Sequence, residues 1–378
     1  MKNLKQIVLF LTIVTGLLIT GCNFSGGKKE LKELFNVGVI APLTGEGSRY
    51  GEAMKDGIDL AIQEINRNGG YNGDSVKAIY MDDKFDVKEG LSGLKYLADF
   101  KKVPVIFGPA GSGISKALIP VANEKKVVLF SSISTSDALA GEGDYFFRNI
   151  SSNSMQAASV AEFLTNKLSA KNVGVFYENN EYGINMNKIF KEKFTAGTIT
   201  FELPYEFKQA DFRNSILSIK ERKFDAIFIQ GTTWGIANLI KQLRQYKIDC
   251  PIITGDGGYG DEIKTIAGNS ANGLFCTLPA VKDTTSSSYT SFKERFVNTF
   301  KKEPDVYSVY SYDAVMMVFN IIKKEKKENI TGELIKNKLF TTTYTGIGGT
   351  YKFDKYGDVD IPYVIFKYSN GEYKRVIW

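Results

Sequence analysis

Residues 103–134 read VPVIFGPAGSGISKALIPVANEKKVVLFSSIS, and they contain the repeating pattern from which the fold follows. The apolar run VPVIF is followed by a glycine-rich turn, then by the helical pattern SKALIPVANEKK and by a second apolar run, VVLF. A strand, a helix and another strand in this order predict two parallel strands with the helix packed on one face of their sheet.

The same alternation extends outward from this stretch in both directions. Further strands are predicted at FNVGVIAPL (35–43), VKAIYMDD (76–83), NVGVFYEN (172–179), DAIFIQGT (225–232) and PIITGD (251–256), with helical patterns between them. The rhythm restarts near residue 154 without a strict residue repeat. The sequence therefore predicts an α/β protein of two similar lobes, each a parallel sheet flanked by helices.

Composition removes several classes of function. The chain has 378 residues, 43% of them hydrophobic and 24% charged, which suits a soluble two-domain protein. It has no His, which excludes a Ser-His-Asp triad and any His-ligated zinc site. Asp82 and Asp83 are adjacent, so on a strand they point apart and make a poor acid/base pair. We expect no enzyme, and we interpret the charged run KKEKKEN (323–329) as a solvated helix end and not a nucleic-acid site.

The N-terminus predicts export and anchoring. MKNLKQIVLFLTIVTGLLITGC has two early lysines and an apolar run of signal-peptide length. Its last four residues, ITGC, resemble a bacterial lipobox, which implies a signal peptide over 1–21 and a lipid on Cys22. Residues 22–35 would tether the anchor to the domain, and the protein would be extracytoplasmic and held on a membrane surface. Cys250 and Cys276 could pair, or could remain two small apolar side chains.

Loops at strand ends carry the candidate site, because ligands of open parallel sheets bind there. GPAGSGIS (108–115) has the frame of a phosphate-binding loop but Ile114 in place of its lysine. Ser112 and the free N–H groups of the following helix favour a carboxylate instead, and a glycine-rich turn without a ligand is the alternative. SSISTSD (131–137) either presents hydroxyls to the same anion or forms turns and helix caps.

An acidic residue and several aromatic residues complete the candidate site. Asp256 follows a predicted buried strand within ITGDGGYGD (253–261), where it could meet an ammonium group or act as a turn or capping residue. Tyr50, Tyr182 and Trp234 lie in loops and could wall an apolar pocket.

Taken in order, several fragments resemble the branched-chain amino-acid (Leu/Ile/Val-type) substrate-binding proteins of ABC transporters. They are GVIAPLTGEGSRYGEAMKDGIDLAIQEIN, GGYNGDSV, IFGPAGSGISKALIPVANEKKVVLFSS, YENNEYG, DAIFIQG, YSYDAV and GIGGTYKFDKYGD. The resemblance implies that hydroxyl-bearing loops bind an amino acid's carboxylate and that Asp256, where Glu is common, meets its ammonium. The loop around Thr232, Thr233 and Trp234 departs from the aromatic pattern that the resemblance leads us to expect there. The ligand-binding residues so predicted are Tyr50, Ala110, Gly111, Ser112, Ser134, Thr135, Tyr182, Thr232 and Asp256.

The resemblance also implies the architecture and the partners. The type I periplasmic binding fold crosses between its lobes three times, with lobe one at 36–153 and 281–361 and lobe two at 154–280 and 362–378. Ligand would bridge the lobes as they close. An ABC permease complex would be the protein partner, and no cofactor or metal is expected. A ligand sensor or an amide- or urea-binding protein of the same fold is the alternative function.

Overall fold

The structure, a computed structural model, describes residues 34–141 and 143–378. The predicted signal peptide, the predicted lipidation site Cys22 and most of the tether lie outside the described residues. Within the described part of the chain, none of the helices combines the length and apolar character needed to cross a bilayer.

Two large sheets organise the molecule. The first has five strands in the order β2-β1-β3-β4-β5, and the second has seven in the order β14-β13-β10-β9-β8-β6-β7. The strands are β1 (Leu34–Ala41), β2 (Ser75–Asp82), β3 (Val105–Phe107), β4 (Val128–Ser131), β5 (Phe146–Arg148), β6 (Asn172–Glu178), β7 (Thr198–Tyr205), β8 (Ala226–Gln230), β9 (Ile252–Thr254), β10 (Phe275–Pro279), β11 (Thr343–Thr345), β12 (Thr350–Lys352), β13 (Tyr363–Ser369) and β14 (Glu372–Arg375).

Helices cover both faces of each sheet, so the strand ends are where a ligand can approach. They are α1 (Ser48–Arg67), α2 (Val87–Lys95), α3 (Ser112–Lys125), α4 (Asn153–Asn166), α5 (Glu181–Lys193), α6 (Arg213–Ile219), α7 (Thr233–Gln245), α8 (Ser287–Phe300), α9 (Val306–Ile322) and α10 (Gly332–Thr341). A π-helical turn, Tyr96–Phe100, continues α2, so the helical segment changes geometry partway along.

Each sheet has an apolar core on both faces. On the five-stranded sheet, α1 and α9 cover one face and α2 and α3 the other. Buried β-branched and aromatic residues supply these cores, for example Val37 and Val39 toward α1 and α9, and Ile40 and Ile106 toward α2 and α3. Neighbouring residues of a strand point to opposite faces, so a strand with helices on both faces needs apolar residues at consecutive positions.

The predicted two-lobed α/β fold is confirmed, and the second sheet adds a feature that the sequence analysis did not include. Strands β13 and β14 run antiparallel to their neighbours, so this sheet is mixed. Asn370 and Gly371 join them with φ of 50° and 86°, the left-handed pair that suits a tight hairpin. Strand β10 and this hairpin extend the sheet of lobe two, in keeping with the predicted crossings, whose boundaries remain a prediction. Cys250 and Cys276 are both free thiols, so the pairing considered above is not formed.

Candidate functional site

A cavity of about 250 Å³ lies between the strand ends of the two sheets. Loops of both lobes contribute to it, including those after β1, β2, β3, β4, β6, β7, β8 and β9. It is lined by Tyr50, Phe85, Val87, Ala110, Gly111, Ser112, Gly113, Ile114, Ile133, Thr135, Asn180, Tyr182, Phe207, Gly231, Thr232 and Asp256. Of the residues predicted from sequence, all except Ser134 are in this lining.

One wall of the cavity is suited to an anion. Residues 110–114 turn from β3 into the N-terminus of α3, whose N-cap, Gly111, has no side chain to cap the first amides. The Ser112 hydroxyl accepts hydrogen bonds at 3.3 Å from the backbone N–H groups of both Thr135 and Ser136. With its oxygen accepting twice, its proton is available for a ligand. Helix amides and a hydroxyl are the kind of donors from which a carboxylate accepts hydrogen bonds.

Ser134 has a structural role. It is buried, and its hydroxyl lies 2.7 Å from that of Ser115, 3.0 Å from the carbonyl oxygen of Ala110 and 3.2 Å from that of Pro109. These contacts tie the loop after β4 to the loop after β3. The hydroxyl of Ser134 thereby shapes the anion wall from behind without lining the cavity.

The opposite wall carries a buried carboxylate. Asp256 follows β9 and is 6% exposed. Its Oδ1 accepts from the Gln156 amide at 3.0 Å and from the Tyr182 phenol at 3.1 Å, and its Oδ2 accepts from the Tyr307 phenol. All these donors are neutral. The contacts orient the carboxylate and leave its charge available to a cationic group in the cavity.

Tyrosines around Asp256 remain protonated because they are buried. Burial, together with the charge of Asp256, raises the pKa of Tyr182 well above its usual value. Burial raises the pKa of Tyr50 to about 12. The Tyr50 phenol lies 3.3 Å from the Thr233 hydroxyl, which starts α7 in the other lobe. Arg49 stands beside them, with its guanidinium 5.2 Å from the Tyr50 ring centre and ion-paired to Asp305 at 2.8 Å.

The polar groups near Thr232 are already engaged with each other. Both the backbone N–H and the hydroxyl of Thr232 donate to Oε2 of Glu178 at 2.8 Å. Glu178 is fully buried at the end of β6, and burial raises its pKa. The side chain of Asn180 donates to the same carboxylate at 2.5 Å. Thr232 thus forms part of the cavity wall, and its hydroxyl is hydrogen-bonded to Glu178.

The remaining lining is apolar and includes residues that the sequence analysis missed. Phe85 follows β2 and Phe207 follows β7, and their rings stack at 5.5 Å across the cleft. These two rings supply aromatic walls, while Trp234, considered from sequence, is not in the lining. Gln156 and Tyr307 were missed as well, because both lie within helical patterns and not in the loops that a sequence search examines.

The whole arrangement is suited to a small dipolar ligand. An anion wall and a buried carboxylate share one cavity with an apolar section between the lobes. Among the described residues, no cluster of three or more His, Cys, Asp or Glu side chains could hold a metal ion.

Comparison with known proteins gives concordant matches over nearly the whole chain. Residues 35–372 match a family described as periplasmic binding protein. Leu/Ile/Val-binding protein homolog 1 of Brucella abortus (strain 2308) is 25% identical over 370 residues, covering 95% of this chain and 96% of the relative. The LivJ substrate-binding protein of Streptococcus pneumoniae, solved with isoleucine, has a TM-score of 0.84 and 27% identity, covering 91% of this chain and 99% of that one. The leucine-binding protein LivK of Thermotoga maritima has a TM-score of 0.82 and 26% identity, covering 90% and 97%.

Proposed function

Because this chain belongs to the periplasmic binding protein family, we propose that it binds a branched-chain amino acid between its lobes and delivers it to an ABC importer. Family membership places it among extracytoplasmic solute-binding proteins, and the resemblance drawn from the sequence is confirmed. The relatives named for leucine, isoleucine and valine support the choice of ligand class.

The observation that carries the proposal is the buried Asp256 carboxylate in the same cavity as the N-terminus of α3. An amino acid has one charge of each sign, two bonds apart, so it can satisfy both features at once. Its ammonium would pair with Asp256, and its carboxylate would accept from the Ser112 hydroxyl and the helix amides. Phe85, Ile114 and Phe207 would then enclose an apolar side chain.

Closure supplies the signal for transport in this proposal. Ligand contacts both lobes only when they are closed, so binding shifts the population toward the closed form. An importer that recognises the closed form would then accept loaded protein in preference to empty protein. A lipid on Cys22 would keep the protein at the membrane surface, within reach of the permease.

The experiment that tests the ligand is calorimetry with a matched set of compounds. Leucine, isoleucine and valine are compared with leucinamide, which lacks the carboxylate, and with 4-methylpentanoate, which lacks the ammonium. We expect the three amino acids to bind and each analogue to lose about 2–5 kcal/mol, because a buried charged or polar group is left unpaired. Binding of amides as tight as that of the amino acids would instead indicate an amide-binding protein. Mass spectrometry of ligand released from the purified protein identifies the natural compound.

The anchor is tested separately. Mass spectrometry of the mature N-terminal peptide should show a lipid-modified Cys22, and the Cys22→Ala variant should leave the membrane fraction. A variant that stays in the membrane fraction would contradict anchoring through this residue.

A further inference from the structure

An aromatic pair joins the two lobes at the edge of the cavity. The Phe85 and Phe207 rings lie 5.5 Å apart between centres with 26° between their planes. Phe85 follows β2 of the five-stranded sheet and Phe207 follows β7 of the seven-stranded sheet, so neither lobe holds both rings. Both line the cavity. In this structure the two rings are in contact across the cleft.

The backbone holds Phe85 in an unusual conformation. Lys84 and Phe85 have φ of 49° and 60°, which is the left-handed region that bulky residues rarely adopt. Two carboxylates support it: Asp82 accepts from the Lys84 N–H at 2.9 Å, and Asp83 accepts from the Phe85 N–H at 2.8 Å. Strain that is supported in this way, next to a cavity, is typical of a functional position.

A glycine also leaves space for the Phe85 ring. A Cβ on Gly47 would come 2.7 Å from the ring, so any larger residue there would displace it. The Tyr50 ring, which also lines the cavity, stacks on the Phe85 ring at 6.4 Å. Tyr50, Phe85 and Phe207 therefore form a continuous row of rings that crosses from one lobe to the other.

The loop that carries Phe207 is ordered by its own hydrogen bonds. The Glu206 N–H donates to the Gln209 side chain at 3.1 Å, and the Gln209 N–H donates to the Glu206 carbonyl at 3.0 Å. Next to Phe207, Lys208 forms an ion pair with Glu46 of the other lobe at 2.6 Å. The loop thus makes an apolar and a charged contact across the cleft, side by side.

We propose that Phe85 and Phe207 form an aromatic gate that closes with the lobes, ends the apolar section of the cavity and excludes amino acids with aromatic side chains. This inference rests on the proposed function and adds to it a preference for aliphatic over aromatic amino acids. With the rings in contact, the cavity stops at their faces, and a larger side chain would have to separate them and hold the lobes apart. The gate lets aliphatic side chains be enclosed and makes phenylalanine a poor ligand.

The test compares the affinities of leucine and phenylalanine by calorimetry, using the full chain in detergent. Phe207→Ala should strengthen phenylalanine binding relative to leucine binding. The ratio of the phenylalanine to the leucine dissociation constant should fall by at least about tenfold, the effect expected of a changed pocket volume. Phe207→Leu should give a smaller change in the same direction. It replaces the alanine variant in the test if that variant fails to fold. Phe224→Ala is the matched control, because Phe224 is a half-buried ring of the same lobe that packs on Phe201 at 5.4 Å.

A second control separates the gate from lobe closure in general. Glu46→Gln removes the ion pair with Lys208, keeps the Lys208 ammonium 5.6 Å from the Phe207 ring centre, and should weaken both ligands equally, leaving the ratio unchanged. The gate is overturned if neither Phe207 variant changes the ratio more than Phe224→Ala does, or if the wild type binds phenylalanine as tightly as leucine. If the wild type binds leucine in these experiments, such a result leaves the proposed function standing. If it binds no amino acid, both proposals fail.

Discussion

The phenol of Tyr307 donates a hydrogen bond to Oδ2 of Asp256 from the other side of the cleft. Tyr307 is on α9, which packs on the five-stranded sheet, whereas Asp256 follows β9 of the seven-stranded sheet. Gln156 and Tyr182 bind the other oxygen. The carboxylate is therefore held by both lobes at once, so lobe closure and the orientation of the anionic group are coupled.

Replacing Asp256 with Asn should weaken leucine binding by about 2–5 kcal/mol, because the ammonium loses its buried counter-charge. The variant should also lose its preference for leucine over 4-methylpentanoate. Calorimetry with both compounds measures the two effects. Asp261→Asn is the control, since that carboxylate is in the same loop, its side chain is 90% exposed and it forms an ion pair with the exposed Lys264. Unchanged leucine affinity in Asp256→Asn would remove this residue from the site.

Tyr307→Phe should weaken leucine binding by about 1.5–3 kcal/mol, the contribution of a hydrogen bond to a charged group. The ring remains and still packs 5.7 Å from Tyr50, so packing is retained. The control is Tyr80→Phe, because the Tyr80 phenol donates to Asp59 at 2.6 Å and neither residue lines the cavity. Equal affinities for the two variants would mean that the contact between Tyr307 and Asp256 does not contribute to binding.

The sequence could predict the strand-end loops of the site because their physical signals are local. Glycines, hydroxyls and an acid at the ends of apolar runs need no tertiary information, and Ser112 and Asp256 stand in the same cavity accordingly. Which hydroxyl faces the cavity depends on packing between loops. Ser134 and Thr135 are neighbours in sequence, yet the Ser134 hydroxyl binds the carbonyls behind the anion wall.

Residues that meet across the cleft carried no such signal. Phe207 lies in a polar loop, and the chain has many other aromatic residues that look the same in sequence. Its contact with Phe85 in the structure is what identifies it as part of the site. Tyr307 lies in a helix that is buried along nearly its whole length, so its pattern indicates packing alone. The antiparallel strands β13 and β14 were missed for a similar reason. Which sheet edge a short strand pairs with, and in which direction, depends on tertiary structure and not on the strand's own sequence.

Gly57→Ala should destabilise the protein by about 1–3 kcal/mol, although alanine normally favours a helix over glycine. Gly57 is where α1 touches α9, and a Cβ there would lie 2.2 Å from the Ser308 carbonyl oxygen. Gly113→Ala is the control, because its Cβ would meet its nearest neighbour, Glu181, at an ordinary 3.6 Å. Urea unfolding measures both. A Gly57→Ala protein as stable as the wild type would show that the two helices can separate at low cost.

Stability should fall as pH rises from 5 to 8. The chain has no His, so buried carboxyl groups govern this range. Burial raises the pKa of Asp83 to about 7 and those of Asp144 and Asp313 to about 6, from 3.8. At pH 5 the folded protein retains protons that the unfolded chain has released, and raising the pH removes them from the folded state alone. The free energy of unfolding should therefore decrease, by about 2 kcal/mol from Asp83 between pH 5 and 8.

Asp83→Asn isolates that contribution. The Asn side-chain oxygen can still accept from the Phe85 N–H, and its amide takes the place of Oδ2, which has no hydrogen-bond partner among the described residues. Urea unfolding at pH 5, 6, 7 and 8 should show a flatter pH dependence than the wild type, whereas the exposed control Asp261→Asn should follow the wild type. A wild-type pH dependence no steeper than that of Asp83→Asn would mean that Asp83 is already ionised in the folded protein at pH 5.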